Sequence, residues 1–185
     1  GTLAVVDLGG GTLDISIVEI EEGVNDVRSV GGDPRLGGSD IDALLVQHVA
    51  GDIKKRWGIE IDEATYPVEY ARLRDACEQL KITLSSVTQY TLELVHFMNM
   101  PSYTFTLTRR ELERIAAPVL ERIETAIDRA IAEHGERIDG FLLVGNATKM
   151  PAVAALLRKK IPARQLTGID PGSVVATGAA LEGSI

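Results

Sequence analysis

Residues 5–20 read VVDLGGGTLDISIVEI, two apolar runs joined by three consecutive glycines, with Asp7 before them and Thr12 after. No other feature restricts the folding of this chain as much. Residues 3–7 read as a buried strand, and Leu13, Ile15 and Ile17 alternate with the period of a second strand. A plain hairpin needs only Asn-Gly or Asp-Gly at its turn, and extra glycines carry an entropy cost. Three in a row strip every Cβ from the turn. Its backbone can then approach a ligand, and its N–H groups can converge on an anion. A strand follows the glycines rather than a helix, and there is no G-x-x-x-x-G-K. The turn is therefore neither a dinucleotide fingerprint nor a P-loop. Asp7, ending its strand, can hold magnesium through water, and Thr12 can offer a hydroxyl to a phosphate or a water. On these residues alone phosphate binding leads a flexible hairpin, but not decisively.

A third strand is expected from Val24 to about Val30, and the Gly-rich turns make the opening an antiparallel meander. Residues 33–38 (DPRLGG) read as a loop. Ser39 or Asp40 is placed to cap a helix carrying Ile41, Leu44, Leu45, Val49, Ile53 and Trp57 at helical spacing. A second helix is expected over 66–85, with Tyr70, Leu73, Cys77, Leu80 and Leu84 on its apolar side. Two strands follow, over 88–96 and 103–107. Thr108 then caps a long helical pattern with the stripe Leu112, Ile115, Val119, Ile123, Ile127 and Ile131. Pro118 lies inside it and costs roughly 3 kcal/mol in a helix interior, so a kink or break is expected there. Residues 140–144 (GFLLV) are a short apolar strand, GNATKMP a loop, and 152–160 a helix. A last helix is expected over 171–182, where Pro171 suits the first turn.

Composition excludes several classes. The chain has 185 residues, 45% hydrophobic and 25% charged, with a net charge of −8. That is a globular composition, and its sign argues against a broad nucleic-acid surface. Cys77 is the only cysteine, so no disulfide forms within the chain, and a reducing compartment, the cytoplasm, is expected. No apolar run approaches the ~18 residues of a membrane helix, and no signal peptide is visible. His48, His96 and His134 lack metal-ligand spacing, so no metal site is assigned to protein ligands alone. Trp57 reads as packing, Cys77 as inert core, and the Arg/Glu run over 109–137 as a solvated helix surface. The chain opens on a strand and closes on ALEGSI, which reads as a segment of something longer.

Two further constellations matter. In ACEQLKITLSS (76–86), Glu78, Lys81 and Ser85 share one helix face, able to offer an acceptor, a cation and a hydroxyl to a ribose and base. In isolation an ordinary solvated stripe is the better reading. In LLVGNATKMP (142–151) an apolar strand ends in Gly145, the kind of strand end at which α/β sheets bind ligands. Alone it is only a strand–loop–helix connection.

Taken in order, DLGGGTLDISIVEI, LGGSDID, ACEQLKITLSS, LTRRELERI, LLVGNATKMP and DPGSVVATGAALEG make the whole chain resemble the second lobe of the ATPase domain of DnaK-type, seventy-kilodalton heat-shock chaperones. The resemblance implies an α/β, ribonuclease-H-like (actin-like ATPase) core with an inserted α+β subdomain. The core subdomain would be 1–36 and 116–185, and the inserted subdomain over the nucleotide cleft 37–115. It implies ATP or ADP with Mg2+ as ligands. Asp7 would sit near the magnesium, through water, and near the attacking water. Gly9, Gly10, Gly11 and Thr12 would cradle the phosphates, and Asp14 matches another acid near the metal. Gly38, Glu78, Lys81, Ser85 and Gly145 would line the adenosine.

The base end departs from the family pattern. Ile82 and Lys149 stand where two arginines normally clamp the adenine, Asn146 replaces a glycine, and Gly172 replaces an acid. Ile and Lys do not stack on planar rings as Arg does. The resemblance implies the first lobe of the same ATPase domain as a partner. In a full-length protein it also implies a nucleotide exchange factor and a J-domain co-chaperone, with no nucleic acid and no membrane. With no second glycine-rich phosphate turn, this chain cannot surround a phosphoryl-transfer transition state, and alone it is expected to be inactive. Two other functions compete. A degenerate actin-fold regulatory or scaffolding protein is motivated by Ile82, Asn146 and Lys149. A filament-forming actin relative ranks last, because no apolar protofilament edge is evident.

Overall fold

The computed structural model describes residues 1–21, 24–168 and 171–172. Its strands are β1 (Thr2–Leu8), β2 (Leu13–Glu21), β3 (Val24–Asp33), β4 (Gln89–Phe97), β5 (Met100–Thr108), β6 (Gly140–Val144) and β7 (Arg164–Gln165). Its helices are α1 (Gly38–Trp57), α2 (Pro67–Leu84), α3 (Arg109–Ile115), α4 (Ala117–His134) and α5 (Pro151–Lys160), with a 3-10 turn over Asn146–Lys149. By internal packing the chain divides into two compact units, Gly1–Ser39 with Pro118–Ile185, and Asp40–Ala117.

The first unit holds a five-stranded sheet in the order β3-β2-β1-β6-β7. β1 pairs antiparallel with β2, Asp7 facing Asp14 and Leu8 facing Leu13. Its other edge pairs parallel with β6, Leu3 facing Gly140 and Asp7 facing Val144. The meander read from the glycine turns is present, and β3 continues past Val30 to Asp33. A register shift at Ile17/Val18 leaves Arg28 without a partner in the ladder, a bulge that lets the pairing resume beyond it. Ala4, Val6 and Leu8 on β1 and Leu13, Ile15 and Ile17 on β2 are buried. Each large apolar side chain so buried contributes about 2 kcal/mol. On α4 the buried residues are Val119, Ile123, Ile127 and Ala130, one stripe at helical spacing. Ala130 lies against β3, its Cβ 3.3 Å from where a Cβ on Gly31 would stand.

Pro118 does break the long helical pattern. α3 stops at Ile115 and α4 starts at Ala117, which leaves the proline in a first turn where its missing N–H removes no helix bond. Three details were not legible. GNATKMP contains the 3-10 turn, β7 is a two-residue strand, and α1 begins at Gly38, so Ser39 and Asp40 are inside the helix instead of capping it. The helix expected over 171–182 lies outside the described residues, apart from Pro171 and Gly172.

In the second unit α2 buries Leu73, Cys77, Leu80 and Leu84. The β4–β5 hairpin buries Leu92, Leu94, Tyr103, Phe105 and Leu107. Tyr103 donates its hydroxyl to Asp52 at 2.7 Å and meets Trp57 edge-on at 5.4 Å, so Trp57 packs. Burial pushes the Cys77 thiol up to about 12, which keeps it protonated and unreactive. Among the described residues no helix is long and apolar enough to cross a membrane.

Thr108 ends β5 and caps α3 through a capping box. Its hydroxyl accepts from Glu111 N, and the Glu111 carboxylate accepts from Thr108 N at 2.9 Å. Thr108→Ala is expected to cost about 1 kcal/mol, read as a lower urea midpoint with an unchanged slope.

Candidate functional site

The glycine turn is closed by Gly9 N donating to Thr12 O at 3.0 Å. Two of its carbonyls are taken by the start of α1. Gly38 N donates to Gly9 O at 3.0 Å, and Ser39 N to Gly10 O at 2.8 Å. A helix leaves its first four amides without internal partners, and here the turn supplies acceptors for two of them. The approach requires glycine at 37, where a Cβ would run into the Gly10 carbonyl and stand 2.6 Å from Gly11 N. With those carbonyls engaged, the N–H groups of Gly10, Gly11 and Thr12 donate to no protein acceptor among the described residues. All three residues are exposed. Successive free amides of this kind form an anion-binding nest.

Beside the nest, cross-strand pairing sets Asp7 and Asp14 directly opposite each other. Like charges so placed repel. Burial, and after it the charge of Asp14, hold the Asp7 carboxyl above its ordinary range. A divalent cation relieves both effects. Among the described residues no three His, Cys, Asp or Glu side chains gather as a metal cage. The pair therefore fits magnesium, which keeps several waters and takes phosphate oxygens, better than an all-protein site.

β6 ends next to these acids. Gly145 has φ +84°, and a Cβ there would run into the Leu8 carbonyl and stand 2.7 Å from Asp7 Oδ1. Its N–H donates to Pro171 O at 2.8 Å, and its carbonyl accepts from the Thr148 hydroxyl at 2.7 Å. Gly172 is packed from above, since a Cβ there would run into Asn146 Oδ1 and lie 3.2 Å from Lys149 Nζ. Asn146 thus fills the space that a side chain at 172 would need. Two departures noted in the sequence, a side chain gained at 146 and one lost at 172, compensate each other.

The remaining predicted residues belong to the other unit. Glu78 is exposed on α2. Lys81 pairs with Asp42 of α1 at 2.7 Å, the two side chains only 14% and 13% exposed. Burial raises the Asp42 carboxyl, against the lowering effect of Lys81, and its Oδ1 has no partner. Ser85 donates its hydroxyl to Lys81 O at 3.2 Å. Ile82 is half exposed. The structure therefore gathers Asp7, Gly9–Thr12, Asp14, Gly38, Gly145 and Lys149 in one unit, and Glu78, Lys81 and Ser85 in the other. Sequence reading missed Gly37 and Asp42. The doubled glycine of LGGS was the available signal for the first. Nothing in the sequence ties Asp42 to a lysine 39 positions away.

Comparison with known proteins agrees with the motifs. The family model described as Hsp70 protein matches residues 1–185. The chain is similar to the chaperone protein DnaK of Thermoplasma acidophilum, 36% identical over 190 residues, covering 99% of this chain and 31% of that protein. It thus spans about a third of that curated relative's length.

Two outcomes are expected. Lys81→Met leaves the shielded Asp42 carboxylate without its counter-charge and should cost about 3 kcal/mol in a urea melt, largely recovered in the double variant with Asp42→Asn. Asp7 behaves differently. Its raised value means that the folded state keeps this proton to higher pH than the unfolded chain. Its contribution therefore favours the fold in acid and is lost as pH rises through the raised value. Without metal at neutral pH, Asp14→Asn should therefore stabilise by roughly 0.5 kcal/mol, with the gain fading toward acid as Asp7 protonates.

Proposed function

The chain belongs to the Hsp70 family, and from that premise we propose that it is the second, nucleotide-binding lobe of a chaperone ATPase domain. Its fold is the α/β, ribonuclease-H-like fold of actin-like ATPases. The observation that carries the proposal is the nest of free amides at Gly10, Gly11 and Thr12, set beside the Asp7–Asp14 pair. The nest would bind the β- and γ-phosphates of ATP or ADP through backbone N–H groups. Asp7, through water, and Asp14 would hold Mg2+, which when bound supplies positive charge to the phosphate oxygens. The Thr12 hydroxyl would orient a phosphate or a water. Gly145, with no Cβ, would let the nucleoside approach the end of β6, where Asn146 and Lys149 stand. Gly38, Glu78, Lys81 and Ser85 would complete the adenosine side, with Lys81 held in place by Asp42. Residues 37–115 would act as an inserted subdomain that controls nucleotide exchange by hinge movement. A first lobe would supply the rest of the transition-state shell, and an exchange factor and a J-domain co-chaperone would act on the whole protein in the cytoplasm.

A second reading, a regulatory actin-fold protein with weak or no nucleotide binding, is favoured by one observation. The half-exposed Ile82 offers an apolar surface where the family places a stacking cation.

A titration of Mg-ADP into isotope-labelled chain, followed by amide NMR, separates the two. The proposal expects shifts at Gly9–Thr12, Gly38, Glu78–Ser85 and Gly145. It expects them to vanish in Gly37→Ala, which displaces the turn without altering any group assigned to the ligand. ATP turnover by the chain alone should be negligible. Silence at millimolar nucleotide, persisting after Ile82→Arg with Lys149→Arg, would favour the missing first lobe or the regulatory reading.

A further inference from the structure

A pocket of about 550 Å3 opens where the end of α5 and the residues before β6 come together, within the first unit. Arg137, Arg158 and Arg164 line it, with Asp139 as the only acid. In a chain of net charge −8 this is a local inversion of sign. The Asp139 carboxylate is already committed, accepting from Thr2 N at 3.0 Å and meeting Arg137 Nε at 3.3 Å. Arg158 is steadied by donating from Nε to Gln165 Oε1 at 2.7 Å, and its terminal nitrogens have no protein partner among the described residues. Arg164 has none either. Cations at the end of α5 complement its dipole, and Lys160 there is matched by Glu124 and Asp128. That account does not reach Arg137 or Arg164, which lie on other segments.

We propose that this pocket docks an acidic peptide segment. Guanidinium forks fit carboxylates two bonds at a time, and three of them line the pocket together with the apolar Ile138, Ile161, Pro162 and Ala163. Charge beside an apolar lining suits acidic side chains interleaved with aliphatic ones. A nucleic-acid strand would need rings to stack on, and no aromatic residue lines the pocket. The volume is in the range of sites that enclose several side-chain-sized groups. The pocket stands at the Leu3–Gly140 end of the paired strands, and the glycine turn follows the Asp7–Val144 end. That places them roughly 13 Å apart along the strands, so the inference does not depend on the nucleotide reading.

The test is fluorescence anisotropy with a short labelled peptide of alternating aspartate and leucine, at low and physiological salt. Binding is expected to weaken with salt, as for exposed charges. It should fall at least tenfold in Arg164→Ala and again in Arg137→Ala, and stay unchanged in Arg74→Ala, an exposed arginine of the other unit. Absence of binding at low salt, or equal affinity for wild type and Arg164→Ala, would overturn the proposal. Tighter binding of an oligothymidylate of equal length would overturn the assignment to peptide. Each variant is checked by its melting curve, and Arg164→Gln, which keeps a long polar side chain, should show the same loss.

Discussion

Gly9 and Gly10 each give a carbonyl to the first amides of α1, and the candidate site depends on that exchange. The helix start has donors it cannot satisfy internally, and the turn has acceptors with no cross-strand use for them. Bonding one to the other fixes the turn's backbone and leaves the N–H groups of Gly10, Gly11 and Thr12 on the open side. A turn of three glycines is otherwise the most mobile backbone a chain can make. The brace removes that freedom before any ligand arrives, so ordering costs are not taken from binding.

Two arrangements of carboxylates show opposite uses of charge. Asp42 is shielded with Lys81, and the pair belongs to its own unit's architecture, so the cation is spent on structure as well as on any ligand. Asp7 and Asp14 face each other across a hairpin, and burial together with the charge of Asp14 raises the Asp7 carboxyl. Repulsion kept at a strand end, where it destabilises the fold slightly, is understandable if a cation relieves it. The same sheet carries a third arrangement at its far end, where guanidiniums outnumber their one acid.

Much of this was legible because it is local. The alternation of Leu13, Ile15 and Ile17, the stripe of α4, the break at Pro118 and the cap at Thr108 follow from spacing and backbone chemistry within a few residues. What was misread was long-range. Ser39 looked like a helix cap because Ser often is one, yet the acceptors came from Gly9 and Gly10, some thirty residues earlier. Lys81, read in isolation as part of a solvated stripe, also pairs with Asp42 on α1. Asn146 and Gly172 looked like two separate departures, and only the close approach of Asn146 Oδ1 to Gly172 makes them one.

By itself the sequence determined the strand–glycine–strand hairpin, the order of the longer strands and helices through α5, and the family. Those rest on side-chain periodicity, on the steric freedom of glycine and on ordered motifs, all properties of the chain read in one dimension. The tertiary structure decided which of the turn's backbone groups remain available, which charges are already paired and where cations accumulate. Hydrogen bonds and Coulomb interactions are set by distances of a few ångströms between residues far apart in the chain, and only folding sets those distances.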